Sequence, residues 1–354
     1  MNQKEIAKGH FSAWLKQQGV TPVFVDVVNH FVRNDLNYYV IEYQLAGSEL
    51  LIGVAGGYEQ GAAEHSGHIN SKMELLMEGN EIEQAEALVE EVEEYWNSYA
   101  SIIEKKFREN ADDGIFVGNV LLANYEWDFE SLRLELAERW NVQVETEEDH
   151  HQLMFDVNDM HVVLTLCDGQ LSNHEAEINA ASNIDWPDVL EIVKYHQAYL
   201  EVCVHSGSSR IEAGKLHVKL LSCASMQDNV LAISTSGTVF EPGFYDECSD
   251  LMKDGQIPMY NLIHFGFYRT SKGLSGYTYG MKCLGYHEIE LLDTFAEPEE
   301  LHEFMSAMVY SVLERQIELK DGNKISVAEG HELMVSESMS ETLNEITVKI
   351  EYPN

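Results

Sequence analysis

Apolar positions recur at two periods along this chain. Steps of three and four mark helices, and alternation or short solid runs mark strands. Ile6, His10, Phe11, Trp14 and Leu15 share one face of an opening helix that Gly19 ends. Pro22 starts an extended stretch over 23–28, and two strands follow over 38–45 and 49–55. Ala46-Gly47-Ser48 joins them and is short enough for a hairpin. The clearest helix covers 82–108, with Ile82, Ala85, Val89, Val92, Trp96, Tyr99, Ile103 and Phe107 forming one apolar stripe. Its other faces carry Glu81, Glu83, Glu86, Glu90, Glu91, Glu93 and Glu94, and no Lys or Arg falls between Lys72 and Lys105. Acids early and Lys105, Lys106 and Arg108 late suit the helix dipole.

The polar stretch Glu109-Asn-Ala-Asp-Asp-Gly114 breaks this period and places a domain boundary there. The expected organisation is a small α/β domain over 1–108 and a larger α/β domain over 115–354. The larger domain opens with a strand over 115–123 and a helix with Phe129, Leu132, Leu136 and Trp140 inward. A hairpin over 153–157 and 161–167 turns at Asn158-Asp159, and a helix over 186–196 and a strand over 199–204 follow. The order β-α-β-β-α-β is that of a split βαβ unit. Further along, helices are expected over 211–224, 243–253 and 301–317, and strands over 230–234, 260–268, 277–281 and 345–352. The fold class is α/β in the α+β sense, with mixed or antiparallel sheets and helices packed on one face.

Composition limits the function. The chain of 354 residues carries 61 Asp and Glu against 22 Lys and Arg, a formal net charge of -39. Of the acids, 44 are Glu and 17 are Asp, and Glu favours the solvent faces of helices. Hydrophobic residues make up 45% and aromatics 10%, so this is a folding chain and not a disordered acidic one. Such charge repels nucleic acid and anionic membrane and attracts basic proteins. A plain solubilising surface explains the same surplus without a partner. The five cysteines, Cys167, Cys203, Cys223, Cys248 and Cys283, are odd in number and lack C-x-x-C spacing, which fits buried thiols in a reducing compartment. Residues 1–8 hold no apolar signal region, and no run of eighteen apolar residues occurs, so a cytoplasmic protein is expected.

Three stretches of the larger domain resemble the uncharacterised bacterial family, domain of unknown function 4261. They are N-H-E-A-E-I-N-A-A-S-N-I-D-W-P-D over 173–188 with Y-H-Q-A-Y-L-E-V over 195–202, S-G-Y-T-Y-G-M-K-C-L-G-Y-H-E-I-E-L over 275–291, and E-L-K-D-G-N-K-I-S-V over 318–327. The resemblance covers about 115–354; no family is recognised in residues 1–108. Tyr199 stands where family members often carry a second histidine, so a site built on a pair with His196 is incomplete. The resemblance implies an accessory or immunity gene of a contact-dependent toxin system and carries over no established activity.

Candidate chemistry is sparse. Within the first resembling stretch, Glu175, Trp186 and His196 could converge as a site, or Glu175 caps a helix and His196 bonds backbone in the core. His150 and His151 follow Glu147-Glu148-Asp149, but adjacent strand residues point to opposite faces and cannot share an ion. His65 and His68 have His-x-x-His spacing, yet Gly61 and Gly67 argue for a loop. Gly53, Gly56, Gly57 and Gly61 lack the lysine and spacing of a phosphate loop. Tyr277 and Tyr279 share a strand face opposite Thr278 and serve the fold. No metal and no cofactor are expected. The expected function is a non-catalytic acidic protein that neutralises a basic, secreted toxin. Glu86, Glu90, Glu93 and Glu94 and the loop acids Glu147, Glu148 and Asp149 are its binding residues. The alternatives are an adaptor of a toxin secretion system and an enzyme centred on Glu175 and His196.

Overall fold

The computed structural model describes residues 2–33, 36–59, 68–75, 81–144, 151–181, 183, 186–328, 331–340 and 342–353. By internal contacts the chain divides into two compact units, Met1–Tyr99 and Ala100–Asn354.

The first unit holds α1 (Gln3–Gln17), β1 (Pro22–Arg33), β2 (Leu36–Leu45), β3 (Leu50–Glu59), β4 (His68–Leu75) and the start of α2 (Glu81–Asp112). Asn2 caps α1 by accepting the Glu5 N–H at 2.9 Å, and Gly19 ends the helix at a φ of 73°. Ala7, Phe11 and Leu15 are buried against Val27, Ile41, Tyr43 and Ala55. Burying Phe11 and Leu15 contributes about 1.5–3 kcal/mol each. The strands form one antiparallel sheet in the order β1-β2-β3-β4. Ala85, Leu88 and Val89 of α2 pack on Phe31, Tyr38, Val40, Ile52 and Val54, so helices cover both faces. Trp96, expected in the inward stripe, is 39% exposed. Two bulges let β1 run past residue 28. His68 opens β4, where its flanking glycines predicted a loop. Helix α2 itself runs on through residues 109–112, into the polar stretch that breaks its apolar period.

The second unit contains two six-stranded sheets. The first is built from β5 (Ile115–Leu122), β6 (Gln152–Val157), β7 (Met160–Asp168), β8 (Ala198–His205), β9 (Val230–Thr235) and β10 (Thr238–Phe240). Their order is β10-β9-β5-β8-β7-β6, antiparallel throughout. The element order is the expected one, but the pairing is not that of a split βαβ unit, because β8 lies between β5 and β7. Both faces of β8 are covered, which makes it a central strand, while β6 exposes alternate residues at the edge. Helices α3 (Phe129–Trp140) and α6 (Arg210–Ala224) pack with Phe116, Val120, Leu122, Leu200 and Val202 on one face. Helices α4 (Glu175–Ala181) and α5 (Val189–Val193) bury Ala176, Ala180, Val189 and Val193 around Leu121 on the other. The expectation of helices on one face is corrected here: Leu121 alternates with Val120 and Leu122, so both sides of β5 are apolar.

The other sheet has the order β11-β12-β13-β16-β15-β14. Its strands are β11 (His264–Arg269), β12 (Leu274–Tyr279), β13 (Ile289–Thr294), β14 (Lys324–Ala328), β15 (His331–Met339) and β16 (Ile346–Ile350). Only β13 and β16 pair in parallel. Between the sheets in sequence lie α7 (Pro242–Ser249) and α8 (Met259–Leu262). Helix α9 (Pro298–Arg315) starts with a capping box between Glu297 and Glu300 and buries Met305, Val309 and Val312. Residues 260–268, expected as one strand, begin instead with α8 after Pro258. The mixed α/β class with mostly antiparallel sheets is as expected. No helix of the described residues is long and apolar enough to cross a membrane.

Candidate functional site

A cleft of about 890 Å³ opens in the second unit beside the turn that joins β12 to β13. The turn is set by glycine. Gly280 has a φ of 127°, and a Cβ there would sit 2.2 Å from the Leu262 carbonyl oxygen. Residues Met281–Leu284 form one 3₁₀ turn, and Gly285 leaves it at a φ of 90°. Met281, Leu284, Val312, Leu319 and Val348 give the cleft a buried apolar floor. Tyr286, His287, Gln316, Glu318 and Ile346 line its remainder.

Glu288 organises this wall from below. Its buried carboxyl accepts the backbone N–H of Gly280 at 2.8 Å and of Lys282 at 3.0 Å. Thr278 Oγ1 lies 2.7 Å from the other oxygen and accepts the Ile289 N–H at 2.8 Å. Burial pushes the carboxyl up to about 7, although the bonds from Lys282, Thr278 and Gly280 pull the other way.

Cations fix the sides. Lys282 Nζ reaches Glu345 at 2.8 Å and Asp112 at 3.4 Å. The Arg210 guanidinium donates to the carbonyls of Ala111 at 2.7 Å, Asp112 at 3.0 Å and Lys282 at 3.2 Å. One planar fork thus joins the end of α2, the start of α6 and the turn. Arg210 and Lys282 are committed to these partners, and Glu318 stands exposed on the rim.

A second polar group lies on β13. Glu290 is fully buried, accepts from Ser340 Oγ at 2.8 Å and Thr347 Oγ1 at 2.5 Å, and pairs with Lys349. Its partners satisfy it, as a buried charge requires. Neither buried glutamate was singled out from sequence. Each interrupts an apolar strand run in His-Glu-Ile-Glu-Leu, and that interruption is the signal that could have found them.

The residues of the first resembling stretch lie elsewhere and do not combine. Glu175 opens α4 and helps line a smaller cleft with Lys106, Asn179, Ser234, Thr235 and Tyr279. Burial raises its carboxyl, Lys106 lowers it and Glu201 raises it. His196 is buried; its Nε2 accepts the Leu171 N–H at 2.9 Å and its Nδ1 bonds the Val193 carbonyl. With both ring nitrogens on backbone, His196 has no face left for a substrate. Trp186 packs with the cluster around Leu121, and its backbone N–H donates to Asn183 at 3.0 Å.

On α2, Glu90 and Glu93 meet Arg33 at 3.5 and 2.8 Å, while Glu94 is exposed and Glu86 half-buried. Such surface pairs contribute about 1 kcal/mol or less, so they leave Glu90 and Glu93 competent to exchange partners. Glu147, Glu148, Asp149 and His150, and also Gly61 and His65, lie outside the described residues. His151 is described and meets Tyr125 Oη at 2.9 Å. Thr278 is buried opposite Tyr277 and Tyr279, as the alternation predicts, and Tyr279 stacks on Phe107 with ring centres 4.2 Å apart. Burial raises all five thiols, to about 12 for Cys203, Cys223 and Cys283 and about 11 for Cys248. Among the described residues no cluster of three or more His, Cys, Asp or Glu could hold a metal ion.

Residues 277–351 match the model of a family described as Domain of unknown function (DUF4261). The match takes in nearly all of the second resembling stretch and the whole of the third; 173–202 lies outside it. It also supplies most of the cleft lining, from Met281 to Val348, with Asp112 and Arg210 contributed from outside. No curated protein and no solved structure matches the chain.

Proposed function

We propose that the protein is an acidic binding protein that neutralises a basic partner, in the manner of an immunity protein that occludes a toxin. The observation that carries this reading is the disposition of charge. The chain has 61 acids and 22 bases, and most of those bases already sit within 4.0 Å of a carboxylate, from Lys8 and Arg33 to Lys324 and Lys349. The surplus charge is anionic, and α2 carries Glu83, Glu90, Glu91 and Glu94 at exposed positions. An anionic surface of this kind gives fast, salt-sensitive association with a cationic one.

The test is capture from the native host at low salt, identification of the bound proteins, and a salt titration of the complex. A stoichiometric basic partner that arrests growth when expressed alone supports the reading. Charge reversal at Glu90 and Glu94 then slows association several-fold at low salt. Rates that do not move would remove α2 from the interface, and a non-toxic secretion component in place of a toxin would favour an adaptor.

A further inference from the structure

Three residues form one row across neighbouring strands at the end of the first six-stranded sheet. Asp156 of β6 pairs directly with His161 of β7, and His161 with His205 of β8. Directly opposed residues of antiparallel strands project from the same face. All three side chains are exposed there. The two imidazole rings lie 5.9 Å apart between centres, and Asp156 Oδ1 is 2.7 Å from His161 Nδ1.

That carboxylate bond sets the tautomer. It holds the His161 proton on Nδ1 and leaves the Nε2 lone pair pointing outward, as it must for a metal ligand. Two imidazoles on one ion at the usual zinc–nitrogen length of about 2.0–2.1 Å bring ring centres to about 5 Å at a tetrahedral angle. The rings need to approach by roughly 1 Å, which rotation of two exposed side chains supplies. Among the described residues no third protein ligand converges on them, and water would complete the shell.

The geometry points to a transition-metal site here: a divalent cation of the zinc, nickel and copper class, bound by Nε2 of His161 and an imidazole nitrogen of His205. Asp156 is the positioning residue behind His161. Imidazole selects these ions over magnesium and calcium, which prefer oxygen.

The test uses metal-free full-length protein titrated calorimetrically with Zn²⁺ alone, with Mg²⁺ as control. The chain has 15 histidines, so the informative quantity is the difference between variants. Wild type should bind one equivalent more than His161→Ala and than His205→Ala, and Mg²⁺ should not fill that equivalent. Asp156→Asn should keep the stoichiometry and weaken this site about 10- to 100-fold. All three positions are exposed, and unchanged melting in chelator verifies that the variants fold. An equivalent retained in either histidine variant would overturn the site, and an Asp156→Asn isotherm identical to wild type would overturn the positioning role.

Discussion

His196 accepts the backbone N–H of Leu171 at 2.9 Å, and this bond decides what the imidazole can do. Its other nitrogen bonds the carbonyl of Val193, three residues back. The ring closes the gap between α5 and the segment that leads into α4. His196→Ala leaves a buried donor and a buried acceptor unpaired and should cost about 2–4 kcal/mol. Urea denaturation measures it. A loss below about 0.5 kcal/mol would mean that water or a shifted backbone replaces both bonds.

Glu288 makes stability depend on pH. Its folded carboxyl titrates at about 7, above its ordinary value of 4.5. A raised carboxyl adds stability that is fully present below about pH 4.5 and is lost as pH rises through 7. Glu288→Gln keeps an acceptor for Gly280 and Lys282 but cannot ionise. The stability of wild type relative to this variant should fall by about 2–3 kcal/mol between pH 4.5 and 8. Parallel stability curves for the two proteins would refute the assignment.

His217 works in the opposite sense. It is buried beneath β5, with its Nε2 3.0 Å from where a Cβ on Gly118 would stand. Burial lowers it from 6.5 to about 4. The unfolded chain therefore takes up this proton first, and stability is lost as pH falls from about 6.5 towards 4. His264, lowered to about 4 by burial, adds a second such group. His217→Gln should flatten the acid limb by one proton, measured as the slope of unfolding free energy against pH from 6.5 to 4.5. An unchanged slope would show that other groups carry the acid limb.

Gly280→Ala should collapse the cleft wall. A side chain at φ 127° is strained by about 1–3 kcal/mol, and its Cβ would overlap a fixed carbonyl oxygen of Leu262. The combined cost should exceed about 3 kcal/mol, at about 2–4 °C of melting temperature for each kcal/mol. Gly243→Ala, with nothing near its Cβ, is the control and should stay close to wild type. Equal melting of both variants would mean that the turn yields.

Periodicity made most elements legible, because one-sided burial writes itself into residue spacing. Phe129, Leu132 and Leu136 announced α3, and Asn158 announced the β6–β7 turn, where it adopts a φ of 55°. Pairing was less legible. The placement of β8 beside β5 depends on which strand has both faces covered, and that is a tertiary property. The strands β13 and β15 were missed because buried Glu290 and exposed Met334 disturb their alternation. The cleft was equally hidden. Arg210 looks like an ordinary first-turn residue of α6, and only the fold brings the carbonyls of residues 111, 112 and 282 around its guanidinium.

That guanidinium has a kinetic consequence. Segments held by one shared fork cannot fray one at a time: releasing the carbonyl of Lys282 leaves the bonds to Ala111 and Asp112 strained or broken. The end of α2, the first turn of α6 and the 281–284 turn should therefore open as one event, and their amides should exchange with solvent deuterium at a common opening free energy. In Arg210→Ala that common value should split into three, with the 281–284 turn exchanging fastest.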